Sequence, residues 1–431
     1  MCVADSAGVR SAIAVMTFTA GAWACSASEA PAPAVAPDGG AAVVMHDTAP
    51  PPDTAPAVEV PYPAPHPPMP QVRSLGGKVL ATPKVVVVTY DGEPYRGELE
   101  AFPTALGKST YWAAVVGEYG VGPITAASSR PVHLSEPAPA TIDDADLKKW
   151  LEDKLDGTHP EWDPPDGQTI YQIYFPERTI YTLGTGWTGC KEFLASDNAL
   201  VRKDGSIVPY VATPRCANVG GLDAINTLTM ITSHELLEEA TDPFKDAWVT
   251  MRDQDMAWSF TPPFSEIGDM CTTDPGAIIV PDDLGFAVQR AWSNAAAAAG
   301  KNPCVPAAPT APYYNTLPVL TEDVPMAFAS FDWSAMTKGV TVHVGESKTI
   351  DLALFSDRKT DAWKIEVYDW AALEGRPAEL AVHLDDPSGK NGDVRKLTIT
   401  ALHAGADGGS RFAIFSKLNH DYTFAVGYVA N

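Results

Sequence analysis

The chain has 431 residues, 45 % of them hydrophobic, and a formal net charge of −24. That length exceeds one ordinary domain and predicts two or three folded units. The acidity excludes nucleic acid and an anionic membrane surface as electrostatic partners.

The N-terminus reads as a processing segment rather than as structure. Arg10 is a short basic region, and residues 11–22 are apolar but too few to span a bilayer. Ala22, Trp23 and Ala24 form a small-x-small cleavage site directly before Cys25. Residues 1–24 are therefore expected to be a signal peptide, with Cys25 as the lipidation site of a lipoprotein. Ala22 stands where a lipobox usually has Leu, and a plain cleaved signal is the alternative. Residues 25–72 are mainly Ala, Pro and acidic, the composition of a disordered, semi-extended tether. No later run of 18 apolar residues exists, so membrane attachment is expected only through the lipid. The expected location is exported, at the cell envelope.

Of the 6 cysteines, Cys2 and Cys25 belong to the N-terminal segment. The remaining four allow three pairings, and local pairing suggests Cys190–Cys216 and Cys271–Cys304. Each closed loop would add about 3 kcal/mol on the chain-entropy model. A Cys-ligated zinc site is the competitor, but no Cys-x-x-Cys spacing occurs.

Residues 84–90 form a β-branched run bounded by Pro83 and by Asp91-Gly92, the signature of a buried strand. A helical stretch follows around residues 95–106. A second helix opens at 141–144, carries Leu147, Trp150, Leu151 and Leu155, and stops at Gly157. Residues 169–175 read as another strand, and this order of elements predicts an α/β unit over 73–304. A longer helix is expected from Asp223 to Asp242, where Pro243 ends it. At about 100° per residue, His234 and Glu238 share one narrow polar stripe on an otherwise apolar helix. Residues 305–312 are Pro- and Ala-rich and read as a linker. Residues 313–431 hold β-like segments at 340–344, 349–354, 397–399, 412–415 and 422–426, which predict an Ig-like β-sandwich.

The chemistry concentrates in Ser233-His234-Glu235-Leu236-Leu237-Glu238. The pattern is H-E-x-x-E, one residue away from the H-E-x-x-H of zincin metalloproteases. In those enzymes two His at i and i+4 bind the metal from one helix face, and the Glu polarises the attacking water. Here Glu238 replaces the second His, and a carboxylate is a harder ligand. A solvated polar stripe or a plain His–Glu pair is the bland alternative. Downstream lie Asp242, Pro243, Ala247, Trp248, Glu266, Asp269, Cys271, Trp292, Asn294 and Cys304. In this order the segment resembles a family of secreted proteins that includes the plant phosphate-induced, EXORDIUM-like proteins and their bacterial and fungal relatives. The resemblance spans 83–304 loosely and 230–304 well, and leaves the C-terminal part outside. It implies a shared fold and a shared polar cluster, without a settled reaction.

The expected cluster holds His234, Glu238, and Glu266 or Asp269 as ligands of one divalent metal. One His with carboxylates suits manganese or calcium better than zinc. With an open position on the metal, Glu235 is the candidate catalytic base. Two functions are thus carried forward. One is a peptidase-like metallohydrolase with a zincin-like α/β domain. The other is a non-catalytic envelope protein that binds a wall polysaccharide or a protein partner.

Other candidates are weaker. Glycines 184, 186 and 189 have P-loop spacing, but Cys190 stands where Lys is needed. His133, His159, His343 and His403 each stand alone. Trp248, Trp258 and Phe260 are candidates for a sugar or peptide cleft, with packing as their ordinary role.

Overall fold

The computed structural model describes residues 11–12, 59–124, 130–217, 219–249, 255–258, 265–328, 333–405 and 408–431. They fall in one compact unit running from Pro61 to Asn431 that also takes in the N-terminal residues to Val15; a second unit, Met16–Val60, is described only at its last two residues. The cleavage site, Cys25 and most of the expected tether therefore lie outside the described residues, as does Phe260.

The first part is mixed α/β. Its elements are β1 (Lys84–Tyr90), α1 (Arg96–Lys108), α2 (Thr110–Val116), β2 (Val132–Leu134), α3 (Asp144–Lys154), β3 (Thr169–Tyr174), β4 (Ser196–Val201), β5 (Ile207–Thr213) and α4 (Ala224–Thr241). The sheet order is β4-β5-β3-β1-β2. β2, β1, β3 and β5 are parallel, and β4 returns antiparallel to β5. Ser11–Ala12 pairs with the outer edge of β4. β1 is a continuous Val run because both of its faces are covered. Val85 and Val87 pack with Leu99 and Phe102 of α1 and with Leu236 of α4. Val86 and Val88 pack with Leu147 and Leu151 of α3 on the opposite face.

The second part is all β. β6 (Tyr314–Pro318), β7 (Glu322–Phe328), β8 (Trp333–Thr341), β9 (Ser347–Ser356), β10 (Trp363–Asp369), β11 (Leu380–Leu384), β12 (Ser388–Gly389), β13 (Val394–Ala401), β14 (Gly409–Leu418) and β15 (Asp421–Ala430) follow one another. They form a four-stranded sheet β6-β9-β13-β11 and a six-stranded sheet β7-β8-β15-β14-β10-β12. Leu352, Leu354, Leu397 and Ile399 from the first and Phe412, Ile414 and Ala425 from the second share one core. That core is continuous with the α1/α4 side of the first part.

The expected tether is too long at its C-terminal end. Residues 61–72 pack as a strap against the body. His66 stacks on Phe355 with ring centroids 3.7 Å apart. Asn391 holds the strap through its side chain, donating to Pro61 O at 2.8 Å and accepting from Ala64 N at 3.0 Å. Met69 and Val72 are buried in the shared core. Composition marked this stretch as unable to fold alone, and long-range partners supply the burial it lacks.

Both disulfides occur as the local pairing suggests, Cys190–Cys216 and Cys271–Cys304. Such bonds fit an oxidising compartment outside the cytoplasm. No helix among the described residues is long and apolar enough to cross a membrane.

Candidate metal centre

α4 begins at Asp223, whose side chain accepts from Asn226 N, and ends at Asp242. The helix is buried all round from Thr227 to Thr241. Its polar stripe is therefore not a solvated face, and each acid on it needs a partner inside the protein.

His234 and Glu238, one turn apart, point to the same place. His234 Nε2 lies 3.0 Å from Glu238 Oε2 and 3.8 Å from Asp269 Oδ1. His234 is 0 % exposed, and neither of its ring nitrogens has a hydrogen-bond partner among the described residues. The short approach to Glu238 is thus close without the alignment that a shared proton requires. Donors about 2.0–2.1 Å from a tetrahedral ion sit roughly 3.3 Å apart, so the observed separations suit a shared cation. The residues present fit a divalent metal on this count.

The loop that supplies Asp269 is held tightly. Asp269 N donates to Glu238 Oε1 at 3.0 Å, and Gln289 Nε2 donates to Gly268 O at 2.8 Å. Gln289 N in turn donates to Ser233 Oγ on α4. The Cys271–Cys304 bond anchors the end of the loop. Gly268 lies against the cluster so closely that a Cβ there would stand 2.7 Å from Glu238 Oε1 and 2.9 Å from His234 Nδ1. Glycine at 268 is a packing requirement of the site.

Glu266 goes elsewhere. It joins Asp197 of β4 around the ammonium of Lys245, which contacts Asp197 Oδ2 and lies 3.3 Å from both Glu266 carboxylate oxygens. Two triads result among the described residues: His234, Glu238 and Asp269, and Asp197, Glu238 and Glu266, with Glu238 common to both. Sequence reasoning left Glu266 and Asp269 as alternatives; the fold separates them. It missed Asp197 and Lys245, which carry no spacing signal of their own.

Asp197, Glu235, Glu238, Glu239, Asp242, Glu266 and Asp269 are all buried in this region. Their only close basic partners are Lys245 and His234 among the described residues. Burial, with Asp269 and Glu266 nearby, pushes Glu238 well above the carboxylate range. Burial does the same to Glu235 and Glu239, against the opposing pull of His234 and Lys245 respectively. Asp269 and Asp242 are each pushed up to about 7, again chiefly by burial. Burial lowers Lys245, but Asp197 and Glu266 outweigh it and hold the ammonium well above its usual range. Glu239 belongs to this second group through Lys245 and Asp197 rather than to His234. Without a further cation, several of these acids hold protons at neutral pH.

The remaining candidates are dispersed. Trp248 packs edge-on against Tyr119. Trp258 does line a shallow depression, with a cavity volume of only about 30 Å³, together with Trp292, Tyr313, Tyr422, Asp274 and Asn302. Gly184 and Gly186 sit in a turn at positive φ. His133 pairs with Glu100 on the surface.

No family model matches the chain, and no curated protein matches it. Among solved structures, a chimeric titin Z1Z2 functionalized with a KLER exogenous peptide from decorin is similar over 27 % of this chain and 95 % of its own, at 14 % identity and a TM-score of 0.16. The titin M3 domain is similar over 28 % and 94 %, at 9 % identity and the same TM-score. Scores this low decide nothing about fold or function.

Proposed function

We propose that this chain is an exported, lipid-anchored envelope protein whose α/β part holds one divalent cation between His234, Glu238 and Asp269. The observation that carries this reading is His234: fully buried, without a hydrogen-bond partner at either ring nitrogen among the described residues, and within 3.8 Å of two carboxylates. The cation would neutralise the acid surplus and join α4 to the 265–271 loop. One imidazole with two carboxylates suits manganese better than zinc.

Enclosure favours a structural role for this centre. His234, Glu235, Glu238 and Asp269 are each at most 3 % exposed, so a peptide would reach Glu235 only after surrounding segments moved. A wall polysaccharide is then the proposed partner, with the shallow aromatic surface around Trp258 as its contact. The lining rings are of the type that stacks on sugar faces, and Trp292 Nε1 is a buried donor without a partner among the described residues. A second reading, a zincin-like peptidase, is favoured by Glu235, whose Oε1 has no hydrogen-bond partner among the described residues. A bound cation would supply Lewis-acid polarisation, and Glu235 would take up a proton at that oxygen.

Elemental analysis of the purified full chain separates these readings from their failure. About one equivalent of metal, lost in His234→Ala, supports the centre; metal-free protein that gains no thermal stability from zinc, manganese or calcium overturns it. Metal-dependent peptide hydrolysis that disappears in Glu235→Gln with metal retained would put the peptidase first.

A further inference from the structure

We infer that Lys245 is the built-in occupant of a second cation position, formed by Asp197, Glu238 and Glu266, and that it limits the centre to a single divalent ion. The inference rests on the cation reading given above.

The three carboxylates belong to two different elements and a loop, β4, α4 and the 265–271 segment, yet their oxygens lie within 4.8 Å of one another. That is a ligand set of hard oxygens only, the type that takes manganese, magnesium or calcium. A cation is already there. The Lys245 ammonium contacts Asp197 and lies 3.3 Å from both Glu266 oxygens. A second observation points the same way. Glu239 is 0 % exposed, its carboxyl lies against the Asp197 carboxyl and Lys245, and neither of its oxygens meets hydrogen-bond geometry with a donor among the described residues. The position therefore has more acceptor capacity than one ammonium uses.

The backbone places Lys245 deliberately. Its φ is +57°, a left-handed conformation that costs a non-glycine residue of order 1 kcal/mol. The turn is clamped on both sides. Lys245 N donates to Asp242 O, and Ala247 N donates to Asp242 Oδ1 at 2.6 Å. Leu75 N and Gly77 N donate to Ala247 O and Asp246 O, and a Cβ at Gly77 would overlap Asp246. The backbone under Lys245 is thus fixed, and its ion pairs with Asp197 and Glu266 hold the ammonium in the position a second ion would need. Glu238, common to both triads, is the natural bridge in a two-ion centre, where ions sit about 3.5–4 Å apart. Lys245 substitutes a single fixed charge for the second ion.

The test is manganese stoichiometry and electron paramagnetic resonance on the full chain, loaded with Mn²⁺ and desalted. Wild type is expected to hold one ion with the spectrum of an isolated Mn²⁺. Lys245→Met, similar in length and neutral, is expected to hold two, with the broadened signal of a coupled pair. Lys245→Arg keeps the charge and is expected to hold one, and adding Asp197→Asn to Lys245→Met returns the count to one. A Lys245→Met protein with one ion, or a wild type with two, overturns the inference and leaves the cation centre standing. A wild type with none overturns the centre itself. Should Lys245→Met fold only with Mn²⁺ present, two bound ions support the inference; failure to fold with Mn²⁺, while Lys245→Arg folds, overturns it.

Discussion

Two regions of the α/β part bury acids at the same depth and treat them in opposite ways. Asp144, at the start of α3, is 1 % exposed. It accepts from Tyr181 Oη at 2.9 Å, Tyr210 Oη at 2.5 Å and Asn198 Nδ2 at 3.2 Å, and Lys148 Nζ lies 3.2 Å away. The N-terminal dipole of α3 adds to this. Among the described residues the acids on α4 have mainly other acids around them, with one lysine, one imidazole and the Asp269 N–H as the groups that offset them. The chain supplies every donor that Asp144 needs. At α4 the described residues supply more acceptors than donors, and protons or a cation would restore the balance.

The largest effect expected from breaking this contrast is at the satisfied acid. Asp144→Ala strands the Tyr210 hydroxyl and the Asn198 amide and takes one partner each from Tyr181 and Lys148, which keep Ser196 and Asn198, and should cost about 3 kcal/mol in urea denaturation, with or without metal. Asp269→Asn in metal-free protein should cost far less, because its carboxyl already holds a proton through much of the acid range. Equal losses at the two positions would erase the distinction.

pH sharpens the comparison next. The folded protein holds Asp242 and Asp269 protonated up to about 7, whereas an unfolded Asp titrates near 4. Folded pKa values above the unfolded ones stabilise the fold at low pH, and that stability is lost as pH rises through about 7. Chelator-treated protein should therefore lose about 2 kcal/mol per group between pH 5 and 8 in denaturant titrations. A bound divalent cation requires carboxylates, so metal-loaded protein should gain stability over the same interval. A flat profile in chelator would argue that the acids are ionised after all.

The smallest effect is steric. Gly268→Ala brings a methyl against Glu238 and His234, and a cost of about 1–2 kcal/mol is expected together with weakened metal retention. Calorimetry with and without metal reads both. Unchanged metal affinity would show that the loop can retreat from the imidazole.

Much of this arrangement was legible in the residues. α4 announced itself through Asp223 and through Asp242-Pro243, and the i, i+4 spacing put His234 beside Glu238. The disulfides followed from proximity in the chain. What stayed hidden depended on partners far away in sequence. Asp197 sits in a polar run, Ser196-Asp197-Asn198, that opens β4 without alternation, so neither the strand nor its acid stood out. Pro209 lies inside β5 and obscured its strand character. Lys245 reaches Asp197 only because a left-handed residue turns the chain back after α4. The strap at 61–72 has the composition of a linker, and only Phe355, Asn391 and the shared core reveal it as part of the body.

That strap governs how the molecule takes load. The chain enters its folded body between the two parts, pinned by Asn391 on one side and by the Val72–Asn294 hydrogen bonds on the other. Tension applied from the N-terminal side therefore meets a latch at the seam before it reaches β1 or α4. A protease that trims the chain as far as residue 60 leaves the latch closed. One that cuts at 73 unseats Met69 and His66 and opens the seam, so the shortest robust form of this protein begins near Pro61.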